Sequence, residues 1–347
     1  IKPADLSRYY AFYAQDEYKF NSKLTLNYGL RWEIEGSNTE RYDQQTIMDP
    51  YAKNPLSDVT GLDLRGIYLF SGDNQSAGRR GVRAAEHKFN PRIGIAYQLN
   101  QKTVIRTGYG IFYGVPKFAA TDRWTGAPYA STTPWISSID GVTPTNLLSN
   151  PFPTGYVLPV GRSQGALSGV GFALSTAWPE QMKTPYNQQW NFTIQRHLSA
   201  DMMIEVAYAG NKGTHIELAQ GDQGQLHPNL ITPENRLNDA VPNPFYGIID
   251  PSSQIGTPTV QRGRLLRGQY AQFTSVGTGS AAWGNSNYHA LQMRFERRFG
   301  NGTSIGVSYT WSKAIGDASD GIWNDGQGTL RNWYCRSCER SLSTYDV

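Results

Sequence analysis

The sequence predicts an all-β chain whose strands pair antiparallel into the wall of a membrane-spanning barrel. Three observations predict it: a composition rich in Gly and Tyr, paired runs of strict two-residue alternation, and very long connections between those pairs. Of the 347 residues only 39% are hydrophobic and 17% charged, yet 12% are aromatic, with 21 Tyr and 36 Gly. That balance disfavours a helical enzyme, while so many aromatics disfavour disorder. The net charge of +4 leaves no footprint for a nucleic acid or another polyanion. No apolar run approaches the roughly 18 residues a spanning helix needs, and the mean hydropathy is −0.51. A membrane, if met at all, is met by strands. No basic stretch followed by an apolar segment opens the chain, so any secretion signal is expected upstream of Ile1.

The first predicted hairpin joins Tyr10, Phe12, Ala14, Tyr18 and Phe20 to Leu24, Leu26, Tyr28, Leu30, Trp32 and Ile34 through Asn21-Ser22-Lys23. The second joins Ile93, Ile95, Tyr97 and Leu99 through Asn100-Gln101-Lys102 to Ile105, Tyr109, Ile111 and Tyr113. In the third, Trp190, Phe192, Ile194 and Leu198 reach Ser199-Ala200-Asp201, and Met202, Ile204, Val206 and Tyr208 return. In the fourth, His289, Leu291, Met293, Phe295 and Phe299 reach Gly300-Asn301-Gly302, and Ile305, Val307, Tyr309 and Trp311 return. Four hairpins make about eight strands, each about ten to twelve residues long, the length a tilted strand needs to cross the hydrocarbon.

The connections between hairpins, residues 36–88, 114–186 and 213–287, are rich in Pro, Gly, Asn and Ser. Short turns alternating with long loops are the pattern of outer-membrane barrels, short turns periplasmic and long loops extracellular. The faces agree. In the last strand Ser304, Gly306, Ser308, Thr310 and Ser312 lie opposite the bulky apolar face, the reverse of a soluble barrel. Trp32, Tyr113, Trp190, Tyr208 and Trp311 collect at the long-loop ends, where an interfacial girdle belongs. A soluble β-sandwich is the alternative. Asp16, Arg196 and Arg297 fall on the apolar face; the arginines stand near turns and can snorkel, whereas the pattern gives Asp16 no role.

With the hairpins placed, the chain resembles the TonB-dependent outer-membrane receptors, especially the Oar-like group that carries a carboxypeptidase-regulatory-like N-terminal module. The likeness lies in FYAQDEYKFNSKLTLNYGLRWE, FNPRIGIAYQLNQKTVIRTGYGIFYG, TPYNQQWNFTIQRHL with VAYAGNKGTHI, and NSNYHALQMRFERRFGNGTSIGVSYTWSKA. It covers all four hairpins and fades in the long loops. The resemblance implies a barrel of 22 strands around a plug, energised through a TonB box, with residues 1–347 forming part of that one barrel domain. Plug, box and N-terminal module are not seen in this sequence, and Ser343-Thr344-Tyr345-Asp346-Val347 looks like the entrance to a further strand. Eight strands alone would close a barrel whose Ser/Gly face leaves its interior hollow, so a wall of a wider barrel is expected.

No catalytic or metal site is predicted, and no cofactor. His87, His197, His215, His227 and His289 have no ligand spacing. Gly210-Asn211-Lys212-Gly213 has the look of a phosphate loop but no helix behind it, and reads as a turn. In the second long loop Trp124, Tyr129, Trp135, Tyr156 and Trp178, with Phe152, could stack on an oligosaccharide or grip a peptide; the competing reading is that they form the loop's own small core. Cys335 and Cys338 are expected as a local disulfide outside the cytoplasm, with metal binding as the alternative. The functional expectation is ligand capture and wall for active uptake across a Gram-negative outer membrane. Its partners would be outer-membrane lipid, the receptor's own plug, the TonB complex and an unknown extracellular ligand. The alternative is a non-transporting surface adhesion or glycan-binding β protein.

Overall fold

The computed structural model describes residues 4–36, 39–72, 86–114, 128–176, 183–216, 221–278, 282–300, 302–317, 330, 332–343 and 346. Its principal element is one antiparallel sheet of nine strands. These are β1 (Tyr9–Lys19), β2 (Leu24–Glu35), β3 (Glu86–Asn100), β4 (Thr103–Tyr113), β5 (Tyr186–His197), β6 (Met202–Ile216), β7 (Gly284–Arg298), β8 (Ser304–Gly316) and the short β9 (Ser341–Leu342). Each pairs with its neighbour in sequence, an up-and-down meander in which β1 and β9 are the two edges. The sheet is therefore an open wall. The expected eight strands become nine because Ile315 and Gly316 pair with Leu342 and Ser341, just ahead of the predicted strand entrance. Among the described residues no helix is long and apolar enough to cross a membrane.

All four predicted turns connect adjacent strands and so share one rim. Asn21 Oδ1 closes the first by accepting from the amides of Lys23 (2.8 Å) and Leu24 (2.9 Å), the Asx geometry that makes Asn a turn residue. The second is tighter than predicted, since the ladder runs to Asn100 opposite Thr103. In the fourth, Gly302 adopts φ 84°, a left-handed conformation that suits glycine; Asn301 lies outside the described residues.

At the loop rim the strands outrun the alternation that predicts them: β3, β6 and β7 each span 15 residues. Ladder bonds are made by the backbone, so pairing continues where side chains turn polar. This corrects the reading of Gly210-Asn211-Lys212-Gly213 as a turn. The four residues lie within β6, opposite Trp190 to Asn187 on β5 and His289 to Ser286 on β7. Glycine is needed at 210 because the Trp190 indole lies against its Cα; a Cβ there would stand 2.3 Å from the ring. Beyond it a bulge at His215, φ 57°, ends the regular ladder.

The pairing registers carry one apolar face across the wall, for example Phe192–Tyr208–Leu291–Trp311. Asp16 on this face sits opposite Tyr28 and accepts its phenolic hydrogen at 3.0 Å, the partner that alternation alone could not supply. Arg297 reaches the turn carboxylate of Asp201 at 3.3 Å and lies 4.6 Å from the Phe299 ring centre. Hydrogen bonds from Ser199, first, then from its own backbone amide and from Arg297 hold the Asp201 carboxyl below its usual range.

The long connections are not irregular loops. In the first, Thr46–Lys53 pairs with Arg65–Phe70 around a one-turn helix at Leu56–Thr60. Ala173–Thr176 of the second runs parallel to Ser275–Thr278 of the third, and Ala240–Pro242 pairs with Thr259–Gln261 within the third. The three share one hydrophobic core, in which Met48, Leu56, Leu64, Leu174, Phe245, Ile255, Phe273 and Val276 are at most 2% exposed. The molecule's apolar interior thus lies in a cap beyond the loop rim, while the wall strands keep their apolar face outward.

Candidate functional site

The cap is stitched across sequence by hydrogen bonds to backbone groups of its connections. The amide of Gly171 donates to Gln272 O at 2.9 Å and that of Thr274 to Phe172 O at 3.0 Å, tying second connection to third. Gln272 Nε2 donates to Arg65 O at 2.7 Å, tying third to first. Arg162 clamps second to first: it donates to the carbonyls of Asp43 (2.9 Å) and Ser71, and its guanidinium lies 5.7 Å from the centre of the Phe70 ring. Asp222 is a second hub, accepting from the amides of Gly224 (2.9 Å) and Val276 (2.8 Å) and from Arg267. Burial raises the phenol pKa of Tyr68 and pushes that of Tyr270 up to about 12, where the Tyr51 and Asp49 charges add to it.

Of the five predicted ligand-binding aromatics, three lie among the described residues. Tyr129 packs against the cap core, edge-on to Phe70 at 6.2 Å, with its hydroxyl accepting from Arg162 at 2.9 Å, so it is a structural residue. Trp135 is 49% and Tyr156 71% exposed, the latter against Phe152 at 5.0 Å. Trp124 and Trp178 lie outside the described residues. Trp135 and Tyr156 belong to an arm, residues 131–160, held by local bonds such as Val157 N to Thr133 Oγ1 at 2.9 Å. The arm also displays Ile139, Val142, Leu148 and Leu158, each at least 79% exposed. Alternation could not flag these apolar residues, because they punctuate Pro- and Gly-rich sequence without a period. Arg162, between Gly161 and Ser163, gives no sequence signal either.

Beyond β8 the segment 332–339 docks on the third connection. Trp333 donates its amide to Gln225 Oε1 at 3.0 Å and packs tilted against Trp283 at 5.4 Å, and Tyr334 Oη donates to Gln225 O at 2.8 Å. Cys335 and Cys338 are joined as a disulfide within it; Trp323, expected nearby, lies outside the described residues.

On the wall's inner face the loop rim is charged. Lys88 and Glu35 form an ion pair with side chains 3% and 8% exposed, and Thr184 Oγ1 donates to Glu86 beside it. Lower down, a recess of about 290 Å³ over Gly29 is bounded by Tyr13, Gln15, Arg31, Asn90 and Arg92. On the outer face aromatic nodes mark the loop rim. In one, Trp32 stacks on Phe89 (6.1 Å) and His87 (5.9 Å); in another, Tyr208 stacks on His289 (6.1 Å) beside Trp190; in a third, Tyr186 lies 5.3 Å from Tyr113 and 5.5 Å from His215.

An apolar outward face bounded by aromatic nodes, short turns on one rim and long connections on the other agree with the comparison of the sequence with known families. Residues 2–347 match the model of the outer membrane beta barrel domain. The chain belongs to the outer membrane beta barrel domain family. The apolar face of this outer-membrane wall is its lipid face. Similar solved structures include the alcaligin outer membrane receptor FauA from Bordetella pertussis, at 11% identity and TM-score 0.34 over 89% of this chain and 30% of that one. The copper transporter OprC matches at 9% identity and TM-score 0.38 over 90% of this chain and 32% of its own. The outer membrane transporter YddB from Escherichia coli matches at 11% and 0.35 over 90% and 34%. The chain thus spans about a third of these structures' length. No curated protein matches the chain.

Proposed function

We propose that this outer-membrane wall and its cap belong to a TonB-dependent receptor that takes up a ligand actively. The observation that carries the reading is the pairing of an open nine-stranded wall with a folded cap formed by its long connections. Strand edges left unpaired in lipid cost several kcal/mol for each unsatisfied backbone group, so β1 and β9 call for further strands, hence a barrel wide enough to hold a plug. A rigid cap built from three connections offers a fixed surface for capture before transfer inward. The sequence likeness across all four hairpins supports the same reading. In it the cap binds, the inner-membrane TonB complex supplies energy through the plug, and the wall conducts; no step is catalytic.

The second reading, a glycan-binding or adhesive surface protein that does not transport, draws support from the exposed Trp135 and Tyr156. Cells carrying the full-length receptor would be given ferric siderophores, cobalamin, oligosaccharides and peptides, with and without an uncoupler of the proton-motive force. Accumulation of one class that stops on uncoupling supports active uptake. Surface binding of an oligosaccharide that neither accumulates nor responds to uncoupling supports the adhesive reading and removes the first.

A further inference from the structure

The lipid face carries a basic patch at one of its aromatic nodes. Lys313 on β8 stands directly opposite His289 on β7, and Lys212 on β6 stands opposite Asn287, one step nearer the loop rim. From strand spacing and rise, the two lysine Cα atoms are roughly 12 Å apart with His289 between their strands, so both side chains reach a group seated above His289. Beneath the patch the same strands present Tyr208, Leu291 and Trp311, then Val206, Met293 and Tyr309, an unbroken apolar band. The lysines therefore sit at headgroup depth, directly above the acyl region.

The node's hydrogen bonds orient His289 toward the same task. Trp190 Nε1 can only donate, and does so to Tyr208 Oη at 3.4 Å; the Tyr208 hydroxyl and His289 Nδ1 are 2.8 Å apart. With Tyr208 accepting from Trp190 and donating to Nδ1, the neutral imidazole carries its proton on Nε2, a third donor.

Charge accounting points outside the protein. At the turn rim of this face Arg297 has Asp201 for its counterion. At the loop rim Lys212 and Lys313 have no ion-pair partner among the described residues, and Asp317, two steps beyond Lys313 along the face, is engaged by Asn285 N and Arg336. The Trp32 node, with His87 and Phe89, has Ile34 where this one has a lysine opposite its histidine.

We propose that Lys212, Lys313 and His289 form a binding site for the phosphate of an outer-leaflet lipid headgroup, with Trp190 and Tyr208 packing against the same lipid. The inference rests on the outer-membrane placement of the face and not on transport, so it stands or falls separately from the uptake reading. The occupant is a lipid because the donors open onto the membrane directly above the apolar band.

The test uses the full-length protein purified from outer membranes, placed in nanodiscs that contain a lipid with a phosphorylated glucosamine headgroup or its dephosphorylated counterpart. Bound lipid is counted by native mass spectrometry on folded, heat-modifiable protein. The wild type should retain the phosphorylated lipid, and each of K212Q and K313Q should weaken retention about fivefold, from about 1 kcal/mol per basic side chain near the surface. K212R/K313R should retain it, and K23Q at the opposite rim should behave as wild type. Equal retention of the dephosphorylated lipid, unchanged retention by folded K212Q/K313Q, or displacement by inorganic phosphate alone would each overturn the proposal, the last by assigning the site to free phosphate.

Discussion

If the three long connections share one core, removing a single side chain from that core should loosen all three together. Phe273 is the place to cut. It comes from the third connection and is 1% exposed in the cluster that holds Met48 of the first and Leu174 of the second. Its ring approaches the backbone of the first connection closely, since a Cβ on Gly66 would stand 3.3 Å from Phe273 Cε2. Truncating a buried Phe to Ala costs about 3–5 kcal/mol, less where neighbours collapse into the space. Met48 can do so, because its thioether lies in the same gap, 2.6 Å from that Gly66 Cβ position, and Met is adaptable. The expected cost of Phe273→Ala is therefore at the lower end, about 3 kcal/mol. In amide hydrogen exchange, 3 kcal/mol is about two powers of ten in the opening equilibrium. Protection should fall by that factor in Thr46–Phe70, around Leu174 and from Phe245 to Val276 at once, and should hold in β4 and β5 of the wall. Leu148→Ala, at a side chain 88% exposed, should leave the pattern unchanged. Loss confined to the neighbourhood of residue 273 would refute the shared core, and equal loss in the wall would refute the separation of cap from wall.

Other consequences follow from single sites. Gly210→Ala places a methyl 2.3 Å from the Trp190 indole, an overpacking expected to cost about 1–3 kcal/mol; the melting of heat-modifiable protein should fall and Trp fluorescence should shift, and an unshifted spectrum would count against the packing. Lys88→Met removes one partner of the buried Glu35 carboxylate, a loss expected to cost up to about 3–5 kcal/mol, whereas Lys88→Met with Glu35→Leu should recover most of it; denaturation midpoints of the three proteins decide. Because Tyr270 titrates near 12 in the folded cap against the usual 10.0, its stabilising contribution is whole below pH 10 and is lost as pH rises toward 12. That contribution is about 3 kcal/mol, and the tyrosinate absorbance that the wild type has and Tyr270→Phe lacks should appear near pH 12; its appearance near pH 10 would count against the burial. Finally, Cys335 and Cys338 should label with a membrane-impermeant maleimide on intact cells only after reduction, and Cys-to-Ser changes should leave the wall's melting unchanged, since the bridge closes too small a loop to constrain it; labelling without reductant would remove the disulfide.

The four hairpins could be read from sequence because a strand half-exposed to lipid writes its environment at every second residue, and the Asn- and Gly-containing turns mark where it reverses. Leu24–Glu35 keeps the same bounds in sequence pattern and structure. The pattern fails where alternation lapses: the outer parts of β3, β6 and β7 are mostly polar, and Gly210 to Gly213 reads as a turn although the ladder runs through it. Asp16 was out of place in one strand and at home beside Tyr28 of the next, a relation held in the register and not in either strand alone.

The sequence by itself determined which residues form the wall, which face is apolar and which rim bears the long connections, since each depends on neighbours within a dozen positions. Tertiary structure decided that those connections are a folded cap, that Tyr129 is packed inside it while Trp135 and Tyr156 stay outside, and that Lys212 and Lys313 flank one histidine on the lipid face. Met48 and Phe273 are far apart in the chain, and nothing periodic joins them. They share a core because the short segments of the connections, unlike the lipid-facing wall strands, bury their apolar side chains only by meeting one another.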